Sequence, residues 1–199
     1  MVEFVFLISG KNNQHLIIMK LIILDRDGVI NQDSDDYIKS PDEFIPIPGS
    51  LEAIAQLNHA GYTVMVATNQ SGVARGYYDI DTLNRMHEKL KRLLNNFGGH
   101  IDGIFFCPHG PDDHCNCRKP KTGLYEEIAE RLNISLRDVP VVGDSLRDIQ
   151  SARAVGAKPF LVKTGKGETT LAKGEELEGV PVFKDLAECV EILLNGQSY

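Results

Sequence analysis

The sequence contains no apolar run that approaches the length of a transmembrane helix, so we expect no membrane partner. It also lacks an excess of basic residues: 21 Lys and Arg stand against 28 Asp and Glu, which gives a formal charge of −7. This balance argues against a nucleic-acid-binding surface, so we expect no nucleic-acid partner, although a local basic site is compatible with it. Internal repeats and low-complexity tracts are also missing.

Cysteine is scarce as well, and its distribution is uneven. Three of the four cysteines, Cys107, Cys115 and Cys117, fall in one short segment, and Cys189 lies in a helical pattern near the C-terminus. A secreted disulfide scaffold would spread its cysteines along the chain. Clustering beside a histidine instead predicts a metal site in a reducing compartment.

The first 18 residues lack the pattern of a signal peptide. The stretch from Val2 to Ile8 is apolar, but Glu3 stands where a basic start is usual, and no small-residue cleavage pattern follows. Met19 directly precedes the first convincing strand. We therefore expect residues 1–18 to be an N-terminal extension outside the native fold, and residues 19–199 to form a single domain.

From Lys20 onward, short apolar runs alternate with amphipathic patterns of helical period. This β-α-β-α alternation predicts an α/β fold in three layers, with a doubly wound, mostly parallel sheet covered by helices on both faces. A segment rich in Gly, Lys, Glu and Thr, residues 163–181, is expected to be a surface loop. The predicted strands are 21–24, 62–67, 102–106, 139–142 and 158–162, and the predicted helices lie near 50–60, 80–96, 123–132, 145–155 and 185–194.

Two aspartates, Asp25 and Asp27, follow the first buried strand and precede Gly28. Ligands of open α/β sheets bind at the carboxyl ends of the strands, and that is where these carboxylates should lie. Such a pair can hold a hard cation such as Mg²⁺, and one member can act as a nucleophile. A strand followed by an Asp-Gly turn is the simpler alternative.

Two further strands end in residues suited to phosphate chemistry. Thr68, Asn69, Gln70 and Ser71 follow the second strand, where a hydroxyl group and backbone N–H groups can bind a phosphate. A polar turn would have the same composition. Asp144 ends a later strand, and would complete a Mg²⁺ site with Asp25 and the backbone carbonyl of Asp27. Asp148 either orders the following loop or occupies the first turns of a helix, where the dipole favours an anion.

A basic run begins at Arg118 and Lys119, directly after the cysteine-rich segment. Runs of charge usually cover a solvated face. A rigid metal loop on one side and a helix on the other would hold this run in place. Lys119 could then neutralise a bound phosphoryl group, and Arg118 could bind a second oxyanion with its guanidinium fork.

The cysteine-rich segment has the spacing of a complete tetrahedral Zn²⁺ site. Cys107 and His109 form a Cys-x-His pair, and Cys115 and Cys117 form a Cys-x-Cys pair. Four protein ligands leave no position for water, so this zinc would be structural. His114 is a competing ligand, and free buried cysteines are the alternative to a metal site.

Together, Asp25-Arg-Asp-Gly, the strand ending at Thr68, Lys119 and Gly143-Asp144 resemble the motifs of the haloacid dehalogenase-like hydrolases, in the same order along residues 20–165. The resemblance implies a HAD-like sheet with its site at the carboxyl edge. It also implies phosphoryl transfer through an aspartyl-phosphate, with Asp25 as the nucleophile and Asp27 as the general acid and base. The gaps 28–67 and 72–118 are too short for a cap domain, so we expect a capless enzyme with an open site.

The metal loop resembles that of one branch of this family, which contains histidinol phosphatases and heptose bisphosphatases. Residues outside the loop favour the heptose members, which implies a small-molecule sugar bisphosphate as partner and a cytoplasmic enzyme of nucleotide-heptose synthesis for surface glycans. We expect the enzyme to be a monomer. The same resemblance implies that Thr68, Asn69, Gln70, Ser71 and Lys119 bind the substrate and that Arg118 contacts its distal phosphate. Histidinol phosphate, a polynucleotide end and a non-catalytic zinc-stabilised binding module remain as alternatives.

Overall fold

The computed structural model describes residues 4–6, 17–174 and 176–196. The strands in these ranges are β1 (Phe4–Phe6), β2 (Ile17–Leu24), β3 (Tyr62–Asn69), β4 (Gly103–Cys107), β5 (Pro140–Gly143), β6 (Lys158–Val162) and β7 (Val182–Phe183). The helices are α1 (Ser50–His59), α2 (Ile80–Asn95), α3 (Gly123–Leu132), α4 (Leu146–Ala154), α5 (Gly167–Lys173) and α6 (Leu186–Leu194), with a short 3₁₀ turn at Pro111–Asp113. None of these helices combines the length and apolar character needed to cross a bilayer.

Six of the strands form a parallel sheet in the order β4-β3-β2-β5-β6-β7, and β1 adds an antiparallel pairing to the start of β2. Strand β2 lies between β3 and β5, so the chain winds outward from it in both directions. The crevice at the carboxyl ends of β2 and β5 is therefore the switch point at which open α/β sheets bind ligands. The predicted α/β class and mostly parallel sheet are confirmed.

Alternate residues of β2 enter two different cores, as the period of a strand requires. Ile22 and Leu24 are fully buried in the core that also contains residues of α1, α2 and α6. Leu21 and Ile23 point to the opposite face and join the core that contains Tyr125 of α3. Because both faces are covered, β2 reads as a continuous apolar run, and the predicted three-layer arrangement is confirmed.

The prediction of a surface loop over residues 163–181 is wrong in part, because helix α5 (Gly167–Lys173) lies within it. Its glycine and two threonines suggest a turn, but the same seven residues include Glu168, Leu171, Ala172 and Lys173, which are good helix formers. A tertiary contact also holds the helix. The contact is specific: Thr170 is buried and its Oγ1 donates a hydrogen bond to the backbone oxygen of Asp144 at 3.0 Å. Strand β7 follows directly after this segment and was also not predicted.

Residues 4–6 and 17–18 form strand structure within the segment predicted to be an extension. Phe4–Phe6 pairs antiparallel with Ile17–Met19. The other residues of that segment lie outside the described ranges, and the domain boundary at Met19 remains a prediction.

Candidate active site at the carboxyl ends of the strands

Asp25 lies one residue beyond β2, in contact with a buried lysine. The backbone N–H of Asp25 donates to the oxygen of Val142 in β5 at 2.9 Å, which extends the β2–β5 pairing by one residue. The Oδ2 atom of Asp25 is 3.2 Å from Lys119 Nζ. Lys119 also donates to the backbone oxygen of Ala67 at 2.8 Å and lies 2.5 Å from Asp148 Oδ1. The predicted basic group thus faces the predicted nucleophile, and its side chain is only 2% exposed.

Three carboxylates converge beside this lysine: Asp25, Asp144 and Asp148 each place an oxygen atom within 4.8 Å of the others. Asp148 was ambiguous in the sequence, and the structure gives it both of the suggested positions. It lies in the first turn of α4, where its Oδ2 accepts hydrogen bonds from the backbone N–H of Ser145 at 3.0 Å and from its hydroxyl group at 2.5 Å. Its Oδ1 remains directed at Lys119.

Two glycines allow the chain to approach Asp144 closely. A Cβ atom on Gly28 would lie 2.1 Å from Asp144 Oδ2, and one on Gly165 would lie 2.2 Å from the same atom. Both residues also have positive φ, of 81° and 58°, which glycine adopts readily. The glycine of the Asp-Gly pair is therefore required by packing against the third carboxylate as well as by the turn.

The charges of this cluster are not balanced by side chains. Burial, followed by the charges of Asp148 and Asp25, raises the pKa of Asp144 to about 8. Burial also raises the pKa of Asp25 to about 6, although the nearby Lys119 opposes the shift. Among the described residues, Lys119 is the cation that forms ion pairs within this cluster, with Asp25 and Asp148. A hard divalent ion with oxygen ligands therefore fits this donor set.

Asp27 lies two residues after Asp25 in the sequence, but its side chain is held by a different set of partners. Both of its oxygens accept hydrogen bonds from Arg26 Nη2 at 2.9 Å, and they also accept from Asn31 Nδ2 and Gln70 Nε2, each at 2.8 Å. Burial disfavours the charged form, but the Arg26 charge and these donors prevail and lower the pKa of Asp27. The Asp27 side chain is not part of the three-carboxylate cluster.

Arg26 is a site residue that the sequence did not reveal. Its side chain is completely buried, with Nη1 3.3 Å from His87 Nε2 and the guanidinium carbon 5.9 Å from the centre of the Phe44 ring. Burial and the charge of Arg26 lower the pKa of His87 to about 3, so this histidine is neutral. An arginine between two aspartates is expected to be exposed, and only these distant partners explain its burial.

The residues after β3 divide into two roles. Thr68 and Gln70 are buried at the site, where Gln70 Nε2 donates to Thr68 Oγ1 at 2.9 Å. Asn69 instead clamps the basic run: its Oδ1 accepts from the backbone N–H of Lys119 at 3.0 Å, and its Nδ2 donates to the Lys119 oxygen at 3.1 Å. Ser71 lines the cavity next to them.

The cavity at Asp25 has a volume of about 150 Å³. Its lining includes the basic side chains of Arg118, Arg147 and Lys166. Acidic and hydroxyl side chains of the loop 33–37 also line it. Arg118 also donates to the backbone oxygen of His109 at 3.2 Å, which fixes the arginine to the cysteine-rich loop.

The four predicted zinc ligands come together at one point. Cys107 Sγ lies 3.7 Å from Cys115 Sγ and 3.2 Å from Cys117 Sγ, and His109 Nδ1 lies 3.2 Å from Cys117 Sγ. A tetrahedral zinc ion with bonds of about 2.3 Å to sulfur separates its ligand atoms by about 3.7 Å, so the donor set fits zinc. His114 is exposed and lies outside this cluster.

The HAD-hydrolase-like family matches residues 116–189. D-glycero-beta-D-manno-heptose-1,7-bisphosphate 7-phosphatases of Bordetella bronchiseptica and Pseudomonas putida are 59% and 58% identical to the chain over 176 residues, which is 88% of it and 98% and 100% of those relatives. The crystal structure of the D,D-heptose 1,7-bisphosphate phosphatase from B. bronchiseptica, complexed with magnesium and phosphate, superposes with a TM-score of 0.88 at 58% identity, covering 90% of this chain and all of that one. The parallel sheet, the aspartates at its carboxyl edge and these similarities lead to one conclusion: the chain belongs to the HAD-like hydrolase family.

Proposed function

We propose that the protein is a Mg²⁺-dependent phosphatase that removes the 7-phosphate of D-glycero-β-D-manno-heptose 1,7-bisphosphate through an aspartyl-phosphate. The observation that carries the proposal is the contact of Asp25 with Lys119, at 3.2 Å, within a cluster of three carboxylates. The names and identities of the relatives support the substrate. Magnesium is held by Asp25, Asp144 and the backbone oxygen of Asp27, and when bound it neutralises charge on the transferring phosphoryl group.

In the first half of the cycle an oxygen of Asp25 attacks phosphorus, and the bond from phosphorus to the sugar oxygen breaks. Asp27 is ionised in the free site because, despite its burial, the charge of Arg26 lowers its pKa, and it takes up a proton from solvent when the phosphate dianion binds beside it. It then gives this proton to the departing alkoxide. In the second half Asp27, now ionised, takes a proton from water, which attacks the aspartyl-phosphate and releases inorganic phosphate. Lys119 and the Thr68 hydroxyl hold the phosphoryl oxygens in place throughout.

The cysteine-rich loop serves substrate recognition. We assign a structural zinc ion to Cys107, His109, Cys115 and Cys117, because the four ligand atoms leave no open position. The loop carries Arg118, whose guanidinium faces the cavity and suits the distal phosphate of a bisphosphate. We assign Asn69 to the clamping of Lys119 and Gln70 and Ser71 to the wall of the phosphate site. We further propose that the protein is a cytoplasmic, monomeric enzyme of nucleotide-heptose synthesis.

A substrate panel tests the proposal directly. We expect Mg²⁺-dependent release of phosphate from heptose 1,7-bisphosphate, with a kcat/KM far above that for histidinol phosphate. The substitution Arg118→Ala should lower kcat/KM for the bisphosphate by about 10- to 100-fold and leave heptose 7-phosphate nearly unchanged. Arg137→Ala, at an exposed arginine away from the site, is the matched control. An equal loss of kcat/KM on the bisphosphate and on heptose 7-phosphate would show that Arg118 does not bind the distal phosphate. A higher kcat/KM for histidinol phosphate than for heptose 1,7-bisphosphate would contradict the proposed substrate.

A further inference from the structure

Lys166 connects two parts of the site that the mechanism leaves separate. Its backbone N–H donates to Asp144 Oδ2 at 2.7 Å, next to the metal position. Its ammonium group lies 3.6 Å from Asp33 Oδ2 and 3.5 Å from Asp35 Oδ1, in the acidic loop 33–37 that lines the cavity. Lys166 therefore spans from the carboxylate cluster to this loop.

The contact between Lys166 and Asp33 is too long to be an optimal hydrogen bond. At 3.6 Å it exceeds the usual range for a charged N–H donor and a carboxylate oxygen. The other oxygen of Asp33 already accepts the backbone N–H of Ser34 at 2.8 Å, so Oδ2 is the one that faces the ammonium group. Both side chains line the cavity of Asp25 and stay partly exposed, at 45% for Lys166 and 20% for Asp33.

A hydroxyl group fits between such partners, because it donates one hydrogen bond and accepts another. It can donate to Asp33 Oδ2 and accept from Lys166 Nζ at the same time. An ammonium group on the substrate has no acceptor capacity, so it can donate to Asp33 but cannot accept from Lys166. The Lys166 charge also opposes the attraction that Asp33 and Asp35 exert on such a group. The pair therefore distinguishes a neutral alcohol from an amine at this position.

We propose that Lys166 determines specificity: with Asp33 it binds the hydroxyl group on the carbon next to the phosphate-bearing carbon, and it repels a substrate with an ammonium group there. This rests on the proposed phosphatase function of the site and extends it to the neighbouring carbon. In heptose 1,7-bisphosphate the group in question is the 6-hydroxyl. Histidinol phosphate carries an ammonium group at the equivalent carbon.

The test compares substrates that differ only at this carbon. We expect Lys166→Met to lower kcat/KM for heptose 1,7-bisphosphate by roughly 10- to 100-fold and to change the rate for its 6-deoxy analogue by less than threefold. The same substitution should increase kcat/KM for histidinol phosphate relative to glycerol 3-phosphate at least tenfold. Lys166→Arg keeps the charge and should keep the wild-type preference. Asp33→Asn should also abolish the preference for the hydroxyl group, because its amide nitrogen offers a donor where the carboxylate accepted.

Lys163→Met is the matched control. Lys163 lies in the same segment, is 43% exposed, and its Nζ is 4.0 Å from Glu168 Oε1. It is not among the residues that line the cavity. This control should leave every substrate ratio unchanged. If Lys166→Met lowers the rates of the hydroxyl and deoxy substrates equally, Lys166 only supports the loop and the proposal is overturned. Glycerol 3-phosphate and propane-1,3-diol monophosphate form a second pair that is independent of the heptose assignment. If Lys166→Met changes the ratio of kcat/KM values only for this second pair, the hydroxyl subsite is supported and heptose 1,7-bisphosphate is rejected as the substrate.

Discussion

Removing magnesium should destabilise the protein much more at pH 8 than at pH 5. The reason is Asp144, whose pKa burial and neighbouring carboxylates raise to about 8 in the absence of a metal ion. A group whose pKa is raised in the folded state stabilises the fold fully below its unfolded pKa, near 4, and loses that contribution as the pH rises through 8. Asp25, with a pKa raised to about 6, acts in the same direction over a lower range.

The magnitude follows from proton linkage. Between pH 5 and pH 8 the folded, metal-free protein keeps a proton on Asp144 that the unfolded chain has lost, which costs about 1.4 kcal/mol of stability per pH unit. The loss over this interval is therefore about 3–4 kcal/mol. For a chain of this length each kcal/mol shifts Tm by about 2–4 °C, so Tm should fall by about 6–16 °C. With magnesium bound, the carboxylates are ionised in the folded state too, and this fall disappears.

Thermal unfolding followed by circular dichroism measures the effect, with protein dialysed into magnesium-free buffer that retains zinc. Each sample is measured at pH 5 and pH 8, with and without one fixed Mg²⁺ concentration that is the same at both pH values and about 1,000-fold above the Kd at pH 8. The quantity compared is the magnesium-induced rise in Tm at each pH, so that titrations elsewhere in the chain cancel. Asp144→Asn removes the group with the largest expected contribution, so the magnesium-induced rise in Tm of this variant should differ much less between pH 5 and pH 8 than that of the parent protein. A magnesium-induced rise of equal size at pH 5 and pH 8 would refute the reasoning.

Two further predictions concern the nucleophile and the zinc cluster. Asp25→Asn should abolish phosphate release while Tm stays equal or rises, because the substitution removes one charge from an overcrowded carboxylate cluster; turnover near the parent rate would exclude Asp25 as the nucleophile. Cys117→Ser should remove about one equivalent of zinc by elemental analysis and lower Tm by several degrees, whereas Cys189→Ser, at the buried cysteine outside the cluster, should keep the zinc; full zinc content in the Cys117 variant would contradict the assigned ligand set.

The sequence was sufficient to locate the strand ends, because an apolar run that stops at a polar side chain places that side chain at the carboxyl edge of a parallel sheet. This is why Asp25, Thr68 and Asp144 were predicted together, although they are far apart in the chain. Rotamers and partners could not be predicted in the same way. The orientation of Asp27 depends on a buried Arg26, and the burial of Arg26 depends on side chains that arrive from α2 and from the loop before α1.

Short elements were missed for a related reason. Helix α5 has only seven residues, and its glycine and threonines obscured the helix formers among them; Thr170 holds it to the site through a hydrogen bond to the backbone of Asp144. Strand β7 has only two residues, and its pairing with β6 supplies the order that its own sequence does not. Both elements are stabilised by long-range contacts, which no local pattern encodes.

The charge balance of the site links metal and substrate. Arg26 neutralises Asp27 within its own hydrogen-bonded pair, so it contributes nothing to the phosphoryl position. Lys119 neutralises one charge of the three-carboxylate cluster and leaves an excess of about two negative charges when all are ionised. A phosphate dianion entering this cavity alone meets net repulsion in a poorly solvated space. Binding of a divalent cation reverses the sign, so cation and phosphate must each increase the affinity of the other by the same factor.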